Sequence, residues 1–511
     1  MRILTTDQMR AAERASLSRG FTFLRLMENA GTGAYKIIAE REGALFGKRC
    51  VVLCGSGNNG GDGYVVARRL AREGAVVSCV MAGSDPKSDE AKEMLRLLHS
   101  EPVSIMRLED SRPSVNLLLV EADIIVDALF GTGFHGMLPD GCRFLAEMSA
   151  LSKARVYSLD VPSGMDADTG LTQGKCFSAV CTIAFGCLKP AHIEPSAAPY
   201  LGEVTVCDIG IPDEVYASVG SKLHLIEGAL VKRWLRPRPD DSYKGTFGKL
   251  LVAAGSLGMT GAAVLSSRAA SASGAGLVYV ASPQRVIPIL ASHLIEQVML
   301  PMPDTDDGSF SEQAIPSLCA ALRDKSACLV GCGMQNTAQT RMLTLSILQN
   351  ATCPIVLDAD GINAIVGDID IVRQASHGVV LTPHYGEFAR LVNKDTATVE
   401  RHRVQLASEF AQTFGVTLVL KGAYTVVAFK NGEVYLLNSP NSGLAKGGSG
   451  DLLAGLIAGL LAQGHTPEQA AVCGAYLHSR AAQLTAQRLC KATMQPSDVL
   501  NDLHLVFREL A

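Results

Sequence analysis

Two regions of this 511-residue sequence combine acids with glycine in patterns suited to charged ligands. In the first half, Gly55-Ser-Gly-Asn-Asn-Gly-Gly-Asp-Gly63 follows the apolar run Cys50–Cys54 and leads into a helical pattern at Tyr64–Arg72. Such a turn exposes backbone N–H groups at a helix N-terminus, where they can hold phosphate. It contains G-x-G-x-x-G at Gly55, Gly57 and Gly60. That pattern is weak alone, and the acid expected about 20 positions on for a ribose is not well placed. Two further strand candidates end in acid-plus-glycine loops, Asp127-Ala-Leu-Phe-Gly-Thr-Gly-Phe-His-Gly136 and Asp160-Val-Pro-Ser-Gly-Met-Asp-Ala-Asp-Thr-Gly170. One Asp at a strand end usually caps a helix or forms a turn. In an open parallel sheet, though, ligands sit beyond the strand carboxyl ends, so three such loops in register converge on one crevice.

The second half carries Asn441-Ser-Gly-Leu-Ala-Lys-Gly-Gly-Ser-Gly-Asp451, running into the apolar stretch Leu452–Ala462. Gly447, Gly448 and Gly450 can bring N–H dipoles against an anion, and Asp451 can take a proton from an attacking hydroxyl. A plain helix cap does not explain an acid where the helix attracts anions, whereas phosphoryl transfer uses this combination. No G-x-x-x-x-G-K-[ST] occurs, so this is not a P-loop. Asp241–Gly248, Thr382-Pro-His-Tyr-Gly-Glu387 and Lys421-Gly-Ala-Tyr-Thr425 are expected to flank the same crevice, and Gly255–Gly261 has room for a substrate. His384 reads equally as a ligand contact or a loop histidine.

These loops need a scaffold of alternating strands and helices. Apolar runs at Cys50–Cys54, Ala75–Met81, Ile124–Val126, Val156–Leu159 and Val180–Phe185 predict one parallel sheet. Lys249–Ala254, Leu277–Ala281, Cys328–Val330, Ile355–Leu357, Val379–Leu381 and Thr417–Lys421 predict a second. Two helices precede the first, opened by a capping box at Thr5 and Gln8. The boundary is expected between about Pro212 and Asp241, with the Pro-broken Arg236–Asp241 as linker. The composition agrees: 48% hydrophobic, 5% aromatic and 49 glycines suit tight helix–sheet packing in an α/β protein and exclude disorder. A net charge of −4 argues against a general nucleic-acid binder. The longest apolar stretch, 11 residues at Leu452–Ala462, is too short to span a bilayer. The 14 cysteines are scattered without a C-x-x-C pair, so reduced thiols and a cytoplasmic location are expected.

The segments Leu26-Met-Glu-Asn-Ala-Gly31, Asn58-Asn-Gly-Gly-Asp-Gly63 and Asp160–Gly170 resemble the NAD(P)H-hydrate epimerase family over residues 1–215. The resemblance implies a Rossmann-like domain that interconverts the R and S forms of hydrated NADH or NADPH. Its potassium ligands would fall on Asn59, Asp127 and Ser163. Its substrate contacts would fall on Asn58, Asn59, Gly60, Gly61 and Asp62, on Gly131, Thr132, Gly133, Phe134, His135, Gly136 and Met137, and on Asp160. Carboxylate, amide and hydroxyl oxygens suit a hard monovalent cation. Asp160 is expected to alternate between acid and base. Lys189 is a second candidate, although a lone lysine is usually solvated.

Tyr243-Lys-Gly, Gly274-Ala-Gly-Leu277, Thr382-Pro-His384, Lys421-Gly422 and Gly448-Ser-Gly-Asp451 resemble the ribokinase-like NAD(P)H-hydrate dehydratase family over residues 225–511. That implies dehydration of the S hydrate with ADP or ATP, and with Mg2+ against the phosphates. Gly333, His384 and Asp451 would meet the hydrate, with Asp451 as base. Lys421, Gly422, Ala423, Tyr424, Thr425 and Gly450 would hold the adenine nucleotide. A fused pair resembles bacterial and archaeal members, which suggests ADP, and a homo-oligomer is expected. Two alternatives stand beside this reading. One is a vitamin-type small-molecule kinase fused to a nucleotide-binding module; the other makes the first half a binding module without activity.

Overall fold

The computed structural model describes residues 1–511 and divides them into two compact units, Met1–Ser221 and Lys222–Ala511. In the first, a two-residue strand β1 (Arg2–Ile3) precedes β2 (Arg49–Cys54), β3 (Val76–Met81), β4 (Val103–Arg107), β5 (Ile124–Ala128), β6 (Arg155–Leu159), β7 (Cys181–Phe185) and β8 (Glu203–Cys207). Seven of these form a parallel sheet in the order β4-β3-β2-β5-β6-β7-β8. Chain direction across the sheet reverses between β2 and β5, the point where such folds bind ligands. Asp127 pairs in register with Leu53 and Ser158, so the three central strands end level.

The capping box is present: Gln8 N–H donates to Thr5 Oγ1 (3.3 Å) and Thr5 N–H to Gln8 Oε1 (3.0 Å). It opens the helix Thr6–Leu17, which is followed by Phe23–Glu42. One expectation is corrected. The helix after β2 begins at Asn58, not Tyr64, so Asn59 to Gly63 form its first turns. Glycine serves close packing here: a Cβ on Gly60 would lie 1.9 Å from Gly55 O.

The second unit contains β9 (Leu223–Leu225), β10 (Lys249–Ala253), β11 (Leu277–Pro283), β12 (Val298–Met302), β13 (Ala327–Val330), β14 (Ile355–Leu357), β15 (Val379–Leu381), β16 (Thr417–Leu420), β17 (Tyr424–Ala428) and β18 (Val434–Asn438). Their order is β9-β18-β17-β16-β15-β14-β13-β10-β11-β12, and only β17 runs antiparallel to its neighbours. The reversal point lies between β10 and β13. The helix Ser449–Ala462 is buried along its whole length from Leu452, between the sheet and neighbouring helices. Arg236–Asp241 is no linker; it lies within this unit, where Arg236 donates to Gly464 O (2.6 Å) and Arg238 to Gly274 O (3.0 Å). No helix is long and apolar enough to cross a membrane. All 14 cysteines are free, eleven of them buried.

The helix Ser449–Ala462 crosses Thr260–Ala272 at glycine. A Cβ on Gly455 would sit 2.1 Å from Ser266 O. Helix propensity alone favours alanine by about 1 kcal/mol, but forcing an extra carbon into packed backbone costs about 1–3 kcal/mol. Gly455→Ala should therefore lower the denaturation midpoint of the second unit; a raised midpoint would show that the helices can part at no cost.

Candidate active sites

In the first unit the carboxyl ends of β2, β5 and β6 bring the expected residues together. Asp127 closes β5 and is fully buried. Its carboxylate accepts from Ser163 Oγ (2.6 Å), Ser163 N–H (2.8 Å) and Ser158 Oγ (2.9 Å). Burial pushes its pKa up to about 6 despite these bonds. Asn59, also buried, donates from Nδ2 to Leu159 O (3.2 Å), while its Oδ1 is enclosed and has no partner. An enclosed amide oxygen without a donor is costly, and a hard cation would satisfy it. The donor set Asn59, Asp127 and Ser163 therefore fits potassium.

Asp160 follows β6 in the left-handed region at φ 65°. A Cβ on Gly131 would lie 3.4 Å from both Asn59 Cγ and Asp160 Oδ2, so the Gly131 loop, Asn59 and Asp160 share one crevice. Lys189 is corrected from the solvated reading. It is 1% exposed, its Nζ pairs with Asp160 Oδ1, and it also donates to Phe185 O (2.8 Å). A charged side chain is buried here because it has a partner. Asp62 and Glu13 lie close enough to be affected: burial first, then the Asp160 charge, raises both pKa values, and Lys189 opposes the rise.

The Gly131–Met137 loop is anchored rather than free. Thr6 Oγ1 donates to Thr132 O (3.3 Å) and His135 Nδ1 pairs with Asp166 Oδ2 (2.7 Å). The Phe134 ring is in the core against Phe130, which leaves only its backbone for a ligand. Gly133, His135, Met137 and Asn58 are exposed at the rim.

In the second unit the loops after β13, β14, β15 and β16 meet. Asp358, buried after β14, accepts at Oδ1 from Lys421 Nζ (2.7 Å) and Thr382 Oγ1 (2.7 Å). Burial pushes the Lys421 ammonium pKa down, but the carboxylates of Asp358 and Glu387 outweigh it and the net pKa is raised. Cys332 Sγ, Asp358 and Asp451 offer ligand atoms within 4.8 Å of one another. Asp451 stands in the first turn of Ser449–Ala462. Burial and the Asp358 charge push its pKa up to about 6. Two carboxylates suit a hard divalent cation that also holds phosphate, and the thiol adds little for such an ion. The residues therefore fit Mg2+.

Beside this cluster lies a cavity of about 880 Å3, whose lining includes Lys421, Thr425, Gly448, Gly450, His384 and His478. Gly448, at φ 95°, lets the chain turn into the helix where another residue would be strained. Gly422 and Ala423 also line the cavity; Tyr424, between Ala423 and Thr425 in an extended strand whose side chains alternate, does not. His384 caps the helix Tyr385–Val392, where Nδ1 accepts from Gly386 N–H (3.0 Å) and Glu387 N–H (3.2 Å), and it also lines the cavity, with Nε2 3.5 Å from Glu387 Oε1. Gly333 follows Cys332 and packs on the Gly255–Gly261 loop, where Ser256 Oγ donates to Gly333 O (2.9 Å). The Asp241–Gly248 loop does not join the crevice. It precedes β10, and a Cβ on Gly248 would lie 1.8 Å from Ala462 O, at the other end of the helix that carries Asp451.

Sequence reasoning passed over Asp358, Cys332, His478, Glu13 and His192. Asp358 carried a usable signal, an acid directly after an apolar strand, like Asp127. The others reach their sites from helices or turns with no local pattern.

A family model described as YjeF-related protein N-terminus matches residues 24–191, and one described as NAD(P)H-hydrate dehydratase matches residues 250–504. The bifunctional NAD(P)H-hydrate repair enzyme Nnr of Moorella thermoacetica is 35% identical, covering 100% of this chain and 97% of its own. That of Escherichia coli K12 is 31% identical over 98% and 93%. Among solved structures, the ADP/ATP-dependent NAD(P)H-hydrate dehydratase of Bacillus subtilis, co-crystallized with ATP/Mg2+, matches 56% of this chain and 99% of its own, with 29% identity and a TM-score of 0.50. The likeness to fused enzymes runs the full length of the chain, beyond what a vitamin-type kinase with an added module would give. The chain belongs to the family of bifunctional NAD(P)H-hydrate repair enzymes.

Proposed function

We propose that residues 1–215 epimerise hydrated NADH and NADPH and that residues 225–511 dehydrate the S hydrate with ADP or ATP. The observation that carries this is the pairing, on one chain related end to end to such enzymes, of two buried-acid sites. In the first site Asn58 to Asp62, the Gly131–Met137 loop and Asp160 take the dihydronicotinamide. The ring nitrogen's lone pair expels the C6 hydroxyl as Asp160 passes it a proton drawn from the paired Lys189 ammonium, and water adds to the other face as Asp160 takes a proton and returns it to Lys189. Asn59, Asp127 and Ser163 hold potassium, which would offset negative charge beside the substrate.

In the second site, Lys421 to Thr425 and Gly450 hold the adenine nucleotide, while Gly333, His384 and Asp451 meet the hydrate. Asp451 takes the proton from the C6 hydroxyl as its oxygen attacks the terminal phosphorus and the shortened nucleotide leaves. The C6–O bond then breaks, phosphate departs, and loss of a C5 proton restores the ring double bond. Asp358 would hold Mg2+, which would neutralise phosphate charge, and leaves Asp451 beside it free to take the proton. Both activities work on small molecules, and we propose a homo-oligomeric assembly in the cytoplasm.

Three outcomes check this. Asp451→Ala should abolish dehydration and leave epimerisation intact, and Asp160→Asn the reverse; loss of both activities in either variant would mean the sites are not separate. Because Asp451 must be ionised to act as base, kcat/KM for dehydration should rise with pH and level off above about 6; a profile flat from pH 5 to 8 would remove Asp451 from that role. The third concerns potassium. The Asp127 pKa is raised on folding, so the folded state binds its proton more tightly and stability falls as pH rises from about 4 to 6. That loss is roughly 3 kcal/mol and persists above pH 6 until a cation binds the ionised form. Potassium should therefore raise the melting temperature more at pH 7.5 than at pH 5, and Asp127→Asn should suppress the difference. An equal response at both values would contradict the assignment.

A further inference from the structure

We infer that His192 is a positioning residue of the epimerase site, fixing which oxygen of Asp160 faces the substrate. The inference rests on Asp160 as the acid and base. His192 follows β7 in the short turn Pro190–Ile193 and is 2% exposed. Its Nδ1 accepts from the Lys189 backbone N–H (2.9 Å) and its Nε2 contacts Asp160 O (2.7 Å). A backbone N–H can only donate and a carbonyl can only accept, so the ring must carry its single proton on Nε2. Burial, followed by the Lys189 charge, lowers its pKa to about 4, which keeps it in that neutral form.

The imidazole therefore ties together the backbones of the two residues whose side chains pair. Asp160 needs such a tie, because a residue other than glycine is held in the left-handed region only when its surroundings enforce it. The other backbone bond of Asp160 runs from its N–H to Ile183 O (2.8 Å). With the backbone fixed, Oδ1 takes the Lys189 ammonium and the Phe185 N–H (3.3 Å). Oδ2 is the oxygen turned toward Gly131, the substrate loop. One carboxylate oxygen is thus anchored, and the other is presented for proton transfer. Letting the Asp160 backbone relax would turn both.

The test compares His192→Leu, which keeps bulk but no hydrogen bonds, with His192→Gln, whose amide can both accept and donate. Each is made in the full chain, with thermal unfolding and dehydratase activity on the S hydrate as controls for folding. Misplacing a catalytic group by about 1 Å can cost about 100-fold in rate. His192→Leu should therefore lower the epimerase kcat by about 30-fold or more, with KM changed less than about twofold. His192→Gln should recover most of that loss. A wild-type kcat in His192→Leu, beside an inactive Asp160→Asn, overturns the positioning role and leaves Asp160 in place. Equal losses in both His192 variants overturn it too, by showing a need for the ring itself. Full activity in Asp160→Asn removes the reading on which the inference rests.

Discussion

In each unit a lysine pairs with a buried aspartate at the carboxyl ends of parallel strands, and the layout of the site follows from it. Asp160 pairs with Lys189 and Asp358 with Lys421. A carboxylate withdrawn from water must be paired or protonated, and removing one member of such a pair typically costs about 3–5 kcal/mol. The pairs therefore fix where strands and loops end. Asp358, Thr382 and Lys421 come from the ends of three adjacent strands and hold those ends together. Lys189 reaches back from the turn after β7 to the residue that closes β6.

The pairs differ in what they leave beside them. In the second unit Asp451 is set against Asp358 and Cys332, and burial with like charge raises its pKa to about 6, the property the proposed base requires near neutrality. In the first unit the lysine holds one oxygen of Asp160, and the other faces the crevice. The two chemistries also need each other. A dehydratase that accepts one epimer strands the other, and an epimerase alone regenerates no reduced nucleotide.

Much of this was legible in the sequence, for identifiable reasons. The central strands read as unbroken apolar runs because both of their faces are covered. The edge strands β4, β8 and β12 were passed over because their residues are only partly buried and break that pattern. The acids Asp127, Asp160 and Asp451 stood out because each stands at the end of an apolar strand or the start of an apolar helix, followed or preceded by glycine. Lys189 stood only as a second candidate and His192 not at all, since their contacts with Asp160 lie 29 and 32 residues distant along the chain. The Gly-rich turn after β2 was taken for non-helical backbone because glycine usually marks it. Here the same residues sit inside a helix that must pass close to Gly55 O.

One chain both equalises the epimers and consumes one of them. The most direct measurement follows reduced-nicotinamide absorbance after adding the wild-type protein, with Mg2+, potassium and either ADP or ATP, to an equal mixture of R and S hydrates of NADH. Recovery of all the hydrate as NADH is predicted with at least one nucleotide. A plateau at half would show dehydration without epimerisation, and no recovery with either nucleotide would contradict the account.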